Sequence, residues 1–156
     1  MRSVVHRDRA RWDAAPAASH GSSIGTLRRV TLRDLVSGSP FICGPDTTLL
    51  EVAKSMVDRG HGSVAVIDGR ALVGILTERD VVRAVAEGVD LVSETVRSRM
   101  AAEPDVFGPD VDVFEAGEFL LEGGYRHLPV VEDGNLLGVV SLRDLLGAVL
   151  ASTDDE

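Results

Sequence analysis

The sequence has little of several residue types, and each shortage excludes a class of protein. Cys43 is the only cysteine, so neither an internal disulfide nor a cysteine-based zinc site can form within one chain. Lys54 is the only lysine, and no phosphate-loop, G-x-S-x-G or H-E-x-x-H motif is present. No apolar run reaches the roughly 20 residues that a membrane-spanning helix needs, and no apolar segment of a secretory signal follows the arginine-rich start. We therefore expect a cytoplasmic protein that is not an enzyme, with no catalytic residues, no metal site and no membrane contact.

The charge is unevenly distributed. The 156 residues are 44% hydrophobic, which is enough for one buried core, and carry a net charge of −9. Six arginines lie within the first 29 residues, against only Asp8 and Asp13, so the rest of the chain is strongly acidic. An acidic body argues against binding a nucleic-acid backbone, which needs clustered basic side chains. We expect residues 1–27 to form a flexible basic leader and residues 151–156 an acidic tail.

The chain contains an internal repeat. Residues 31–85 align without a gap with residues 95–149, and 15 of the 55 aligned positions are identical. The identical positions include Gly44-Pro45-Asp46 with Gly108-Pro109-Asp110, and Arg79-Asp80 with Arg143-Asp144. Two copies indicate a pseudo-twofold pair rather than a solenoid, which usually needs at least three repeats. We place repeat 1 at residues 28–90 and repeat 2 at residues 91–150, sharing one core.

Each repeat has the pattern of a β-α-β-β-α unit. The apolar residues from Leu49 to Val57 have helical spacing, with Thr48 and Glu51 at capping-box positions, and Gly60 marks the helix end. A hairpin of two apolar strands follows, and then a second helix. Short entry strands are expected at 41–43 and 106–107, each preceded by a helical turn, at 31–36 and 95–100. The predicted fold class is α+β, with strands covered on both faces.

A hydroxyl residue and an aspartate stand three residues apart where each second helix begins. The sequences are G-I-L-T-E-R-D, ending at Asp80, and G-V-V-S-L-R-D, ending at Asp144. The simplest interpretation is a helix cap, in which the hydroxyl and the carboxylate bond the first turn. Alternatively, free N–H groups at the junction could bind a phosphate, with help from Arg79 and Arg143, while the carboxylate accepts bonds from ribose hydroxyls. The repetition of the Arg-Asp pair favours the second interpretation, since capping alone does not require it.

With both motifs and the R-H-L-P-V-V segment at 126–131, the chain resembles a tandem pair of CBS domains, the cystathionine β-synthase-type regulatory module. The resemblance covers about residues 28–150. It implies two repeats packed through their sheets about a pseudo-twofold axis, with two clefts for adenosine compounds. Carried over position by position, it implies nucleotide-binding roles for Ile42, Val64, Ala65, Thr77, Arg79, Asp80, Val106, Arg126, His127, Leu128, Pro129, Ser141, Arg143 and Asp144.

The resemblance also implies how these residues would act. Asp80 and Asp144 would accept the ribose hydroxyls, and Thr77 and Ser141 would contact ribose or phosphate. The backbone near Ile42 and Val106 would meet the adenine edge, and the segments 64–66 and 128–130 would form apolar walls. Arg126 and His127 would face phosphate. The repeats differ here, because repeat 1 has Gly62 and Ser63 at the positions of Arg126 and His127, so we expect the two clefts to differ in affinity.

These implications lead to two hypotheses for function. The first is a regulatory module that binds AMP, ADP or ATP, with S-adenosylmethionine or NAD as further possibilities. It needs no catalytic cofactor, forms a homodimer and signals to a protein partner in trans, since the repeats occupy nearly all of the expected ordered chain. The alternative is a dimeric interaction scaffold with the same fold and no ligand.

Overall fold

Both repeats contain a helix, a two-stranded hairpin and a second helix, in that order, in the computed structural model, which describes residues 29–153. Repeat 1 contains β1 (Ile42–Cys43), α1 (Leu49–Arg59), β2 (Ser63–Asp68), β3 (Ala71–Thr77) and α2 (Glu78–Ala86). A short strand, β4 (Ala101–Ala102), follows, and repeat 2 continues with α3 (Val113–Gly123), β5 (His127–Glu132), β6 (Asn135–Ser141) and α4 (Leu142–Thr153). The predicted α+β class is confirmed. The expected leader at 1–27 and residues 154–156 of the expected tail lie outside the described residues.

The first helix of each repeat begins and ends as the sequence predicts. The Thr48 hydroxyl accepts the Glu51 N–H, and the Thr48 N–H bonds the Glu51 carboxylate, which completes a capping box at the start of α1. Asp112 caps α3 by accepting the Phe114 N–H at 2.8 Å. Gly60 and Gly124 follow these helices in the left-handed conformation that glycine adopts without steric cost.

The strands form two sheets. β1 pairs in parallel with β2, β2 pairs antiparallel with β3, and β3 pairs antiparallel with β4, while β5 and β6 form an antiparallel hairpin. The entry strand expected at 106–107 is reduced to one parallel bridge between Phe107 and Val130. β4 was not predicted, because Ala101 and Ala102 have no alternating apolar pattern of their own and become a strand only by pairing with Ile75 and Gly74.

Alternate residues of the central strands face different layers. Val64 and Val66 of β2 are buried with the α1 side chains Leu49 and Val52, whereas Ala65, between them, points to the opposite face and is also fully buried. On that face β2 and β3 contact β6 of the other repeat. The prediction that the strands are covered on both faces is therefore confirmed, with helices on one side and the second sheet on the other.

Each repeat is completed by a helical turn from the other. The 3₁₀ turn Leu32–Asp34 precedes β1, the first strand of repeat 1, yet Leu32 is fully buried among Phe107, Val113 and Leu120 of repeat 2. Conversely, the turn Val96–Ser98 precedes the second hairpin but places Val96, also fully buried, in the core of repeat 1. The expected single shared core is thus two cores that exchange one turn. The boundaries at 28–90 and 91–150 stay a prediction.

Backbone hydrogen bonds and ion pairs hold the exchanged turns. The Leu32 N–H donates to the Val111 carbonyl and the Val96 N–H donates to the Thr47 carbonyl, both at 2.9 Å. Two arginines, one on each turn, bridge carboxylates of the repeat that receives the turn: Arg33 with Asp110 and Glu132, and Arg97 with Asp46 and Asp68. These four contacts occupy equivalent positions in the two repeats, so the exchange is itself repeated.

The exchange predicts that Leu32→Ala destabilises the distant repeat. Removing a fully buried leucine side chain should lower the free energy of unfolding by about 2–5 kcal/mol. In hydrogen exchange followed by mass spectrometry, amides of α3 and β5 should lose protection before those of α1, although α1 is closer in sequence. Val92→Ala is the control, because Val92 is 64% exposed. Loss of protection confined to α1 and β2 would contradict the exchanged packing.

Candidate functional site

Both hydroxyl–aspartate motifs form helix caps. The Thr77 N–H and hydroxyl each donate to Asp80 Oδ2 at 2.9 Å. The Ser141 N–H and hydroxyl donate to Asp144 Oδ2 at 2.7 Å, and the Asp144 N–H returns a bond to the Ser141 hydroxyl. The capping interpretation is therefore confirmed at both helix starts.

The same cap also occurs where no ligand site was predicted. The Thr31 N–H and hydroxyl donate to Asp34 Oδ2 at 3.0 and 3.3 Å, at the start of an exchanged turn. A cap of this type is thus not by itself evidence of a ligand. A ligand hydroxyl would therefore donate to the second carboxylate oxygen, Oδ1, of Asp80 or Asp144. Asp80 Oδ1 lies 3.4 Å from Arg83 Nη1.

The backbone at these helix starts is less available to an anion than expected. The Glu78 N–H donates to the Gly62 carbonyl and the Leu142 N–H donates to the Arg126 carbonyl, both at 2.9 Å. Together with the capped N–H groups of Thr77 and Ser141, these bonds use donors that the sequence left free for phosphate. An anion at either junction would therefore rely mainly on arginine side chains.

Arginines from both repeats meet at a surface groove. The groove has a volume of about 280 Å³ and is lined by Glu78, Arg79, Val82 and Arg126. Arg79 stands in the first turn of α2, and Arg126 precedes β5, so the groove joins the two repeats. Of the predicted phosphate-facing residues, the structure brings these two together, while Arg143 is exposed on the first turn of α4.

His127 lies beside this groove. A Cβ atom added at Gly62 would lie 3.5 Å from His127 Nε2, so the imidazole packs against repeat 1. Burial lowers the pKa of His127 below its ordinary value, the Arg126 charge lowers it further, and the charges of Glu78 and Asp144 oppose this shift. His127 is therefore mainly neutral at pH 7, so one ring nitrogen donates a hydrogen bond and the other accepts one.

The backbone near Ile42 and Val106, which the sequence predicts to meet the adenine edge, has groups directed away from the adjacent strand. The Ala65 N–H donates to the Phe41 carbonyl, the Phe107 N–H donates to the Pro129 carbonyl, and the Val131 N–H donates to the Phe107 carbonyl. These hydrogen bonds to the hairpins therefore come from Phe41 and Phe107, the neighbours of Ile42 and Val106. In a parallel ladder the intervening residue points its N–H and carbonyl the other way. Ile42 is 49% and Val106 is 41% exposed, which leaves both accessible.

The predicted apolar walls divide between two layers. Val64 and Leu128 are buried with the helices of their own repeats, so only their backbones could border a cleft. Ala65 and Pro129 are fully buried on the face between the sheets, so their side chains border the packed interface of the sheets rather than an open cleft.

Other candidates have structural roles. Burial raises the pKa of Cys43 to about 11, so its thiol is protonated and a poor nucleophile at pH 7.

Among residues 29–153, no three His, Cys, Asp or Glu side chains are grouped to hold a metal ion. No helix in the same range has the length and apolar content needed to cross a membrane.

Sequence reasoning missed Glu78. This residue lines the groove of Arg79 and Arg126, and it also lines a second groove of about 410 Å³ between α1 and α2. The available signal was the difference between the motifs, since T-E-R-D in repeat 1 corresponds to S-L-R-D in repeat 2.

The family model for the CBS domain matches the chain twice, at residues 30–87 and 92–151. An uncharacterized 17.7 kDa protein of Acidianus ambivalens is 39% identical over 112 residues, which cover 70% of this chain and 67% of that protein. The CBS domain-containing protein YhcV of Bacillus subtilis is 30% identical over 117 residues, covering 74% of this chain and 82% of that one. The chain spans less than two thirds of several other curated relatives.

Solved structures share the fold. The CBS domain protein PAE2072 from Pyrobaculum aerophilum, complexed with AMP, superposes with a TM-score of 0.71 at 26% identity, covering 80% of this chain and 99% of that one. The resemblance inferred from the motifs is confirmed, because the family model accounts for both repeats and the fold is that of CBS pairs. The chain belongs to the CBS-domain family.

Proposed function

We propose that this chain is a non-enzymatic regulatory module that binds an adenosine-containing ligand of the AMP, ADP or ATP class between its two CBS repeats. The observation that carries the proposal is the groove in which Arg79 and Arg126, from different repeats, meet one turn from the Asp80 cap. A phosphate there and a ribose at Asp80 would both be recognised by charge-assisted hydrogen bonds. The AMP complex of PAE2072, a protein of the same fold and family, supports this ligand class.

The ligand would act by favouring one arrangement of the repeats. A ligand held by Arg79 and Arg126 contacts both repeats, so its affinity depends on their relative position. Only a difference in affinity between two arrangements can shift the equilibrium between them. We propose that a separate protein partner in the cytoplasm binds one arrangement of the repeats more tightly than the other, and so responds to the ligand in trans.

A homodimer would cover the exposed apolar helix faces. Val57 of α1 and Leu121 of α3 occupy equivalent positions and are 81% and 68% exposed, and Val82 and Leu146 are a second equivalent pair at 65% and 58%. Apolar patches rimmed by polar residues mark interaction sites. Because the patch is repeated, a second copy of the chain could cover both halves with one symmetric interface.

The alternative proposal is a dimeric scaffold that binds no nucleotide. It is supported by the two caps, which already use one oxygen of Asp80 and of Asp144, and by the same exposed helix faces. Native mass spectrometry separates the two proposals, because a co-purified adenosine compound supports the regulatory module and a nucleotide-insensitive, ligand-free dimer supports the scaffold.

The first prediction of this proposal concerns affinity. Calorimetric titration with AMP, ADP, ATP, S-adenosylmethionine and NAD should show at least one ligand binding with a Kd well below about 1 mM, that is, more favourable than about −4 kcal/mol. Binding weaker than millimolar by all five would reject it in favour of the scaffold.

The second prediction compares the two aspartates. Asp80→Ala should weaken binding more than Asp144→Ala, because Arg79 and Arg126, which would hold the phosphate, line a groove next to Asp80. Each substitution also removes a cap, which costs about 0.5–2 kcal/mol of stability.

The control for the aspartates is Asp34→Ala, which removes the same kind of cap outside the motifs. It should lower the thermal midpoint without changing nucleotide affinity. Equal losses of affinity in the Asp80 and Asp144 variants would refute the expected asymmetry.

The third prediction concerns assembly. Val57→Asp and Leu121→Asp should each shift sedimentation velocity from dimer towards monomer, since a charge would be buried unpaired in the interface. Val92→Asp is the control, because Val92 is similarly exposed but lies outside the four helices. A dimer unaffected by both helix substitutions would place the interface elsewhere.

A further inference from the structure

The groove between the repeats contains one negative side chain among positive ones. Glu78 and Arg79 are consecutive residues at the start of α2, and Arg126 approaches them from repeat 2. Two arginines and one glutamate therefore border the same space of about 280 Å³. His127, mainly neutral at pH 7, adds hydrogen-bonding capacity without charge. The groove thus carries about one net positive charge.

The backbone of Glu78 is fixed at the junction of the repeats. Its N–H donates to the Gly62 carbonyl at 2.9 Å, which holds the first residue of α2 against the segment before β2. A Cβ atom at Gly62 would lie 3.5 Å from Glu78 Cδ and Oε1, the same distance as from His127 Nε2. Carboxylate and imidazole therefore flank one glycine, and the acidic group lies beside the predicted phosphate-facing residues.

Glu78 is close enough to Asp80 along α2 for its negative charge to affect a ligand bound at Asp80. Both residues belong to the first turn of α2, so a ribose bound at Asp80 lies within one helical turn of the groove. A phosphate attached to that ribose can reach Arg79 and Arg126. A single phosphate group carries a charge of about −1.5 to −2 at pH 7, which the two arginines can balance. Each further phosphate brings more negative charge towards the exposed Glu78 side chain, and like charges repel, more strongly at low ionic strength.

We propose that Glu78 is a specificity-determining residue that makes the Asp80 cleft favour adenosine ligands with one phosphate over those with two or three. This inference rests on the proposed function. It adds to that function the number of phosphate groups, and so the charge, of the preferred ligand. Repeat 2 has Leu142 at the equivalent position, so the chain itself supplies a substitution that preserves a helix-forming residue and removes the charge.

The test is calorimetric titration of AMP, ADP and ATP into the wild-type chain, Glu78→Gln and Glu78→Leu at pH 7.5 and constant ionic strength, with and without Mg²⁺. The wild type should bind AMP about tenfold more tightly than ATP. Both substitutions should improve ATP affinity by about five- to tenfold, because they remove the charge that repels the additional phosphates. They should change AMP affinity less than twofold. A tenfold change in Kd corresponds to about 1.4 kcal/mol. Glu118→Gln, an equal charge change on the exposed surface of α3, should leave the ratio unaltered.

Two results would overturn the inference while leaving the proposed function intact. One is a wild type that binds ATP as tightly as AMP. The other is an equal improvement for all three nucleotides, or the same improvement in Glu118→Gln, which would show a general effect of net charge. If no nucleotide binds any of the four proteins, the proposed function fails and this inference fails with it. Circular dichroism and thermal midpoints of the variants, matched to the wild type, exclude misfolding as the cause of any change.

Discussion

The exchange of one helical turn between the repeats is the constraint on which the rest of the structure depends. Leu32 and Val96 are fully buried in cores that belong to the other half of the chain. Neither core is complete without the opposite turn, so each repeat alone would expose a site shaped for a large apolar side chain. The ion pairs of Arg33 and Arg97 are exposed and contribute modestly to stability, but they fix where each turn docks. The pair therefore folds as one unit although it has two cores.

This exchange explains features of the repeat that look functional in the sequence. Arg33 and Arg97 are identical across the repeats because each bridges the aspartate of the opposite Gly-Pro-Asp segment. The glycine of each motif has a similar reason. A Cβ atom on Gly74 would overlap Met100 Sδ, and one on Gly138 would lie 3.0 Å from Val36 Cγ1. Both contacts come from segments that follow the exchanged turns, so tight packing of these side chains disfavours a larger residue at either glycine without involving a ligand.

The sequence was sufficient to predict the helices and hairpins whose determining interactions are local. The cap at Thr48 and the left-handed Gly60 define α1 within a few residues, and the hairpins follow from short apolar runs around turns. The exchange was not predictable, because the periodicity of 31–36 shows an apolar residue at Leu32 but not which core receives it. Likewise, Val64 and Ala65 are both apolar, and only the strand pairing assigns one to the helix layer and the other to the face between the sheets.

The candidate site shows the same division between local and distant interactions. The motifs predicted Asp80 and Asp144 correctly as residues of the helix starts, but the capping bonds there are indistinguishable in kind from the one at Asp34. What distinguishes the motif regions is the approach of Arg126 and His127 to α2, a contact between residues far apart in sequence. Glu78 was missed for this reason, since its importance comes from neighbours that only the packing of the repeats provides.

The exchanged turns also limit how a bound ligand could be reported to a partner. Separating the repeats would expose Leu32 and Val96 together, and burial of side chains of this size contributes about 1.5–3 kcal/mol each. Under the proposed function, a ligand held by Arg79 and Arg126 would act across the face between the sheets, where Ala65 and Pro129 are buried, without separating the repeats. Because α1 to α4 form the outer layers, we expect a shift across that face to change the relative placement of their exposed apolar faces. Ligand binding and assembly would then be coupled through the same helices, in proportion to the difference in ligand affinity between the two placements.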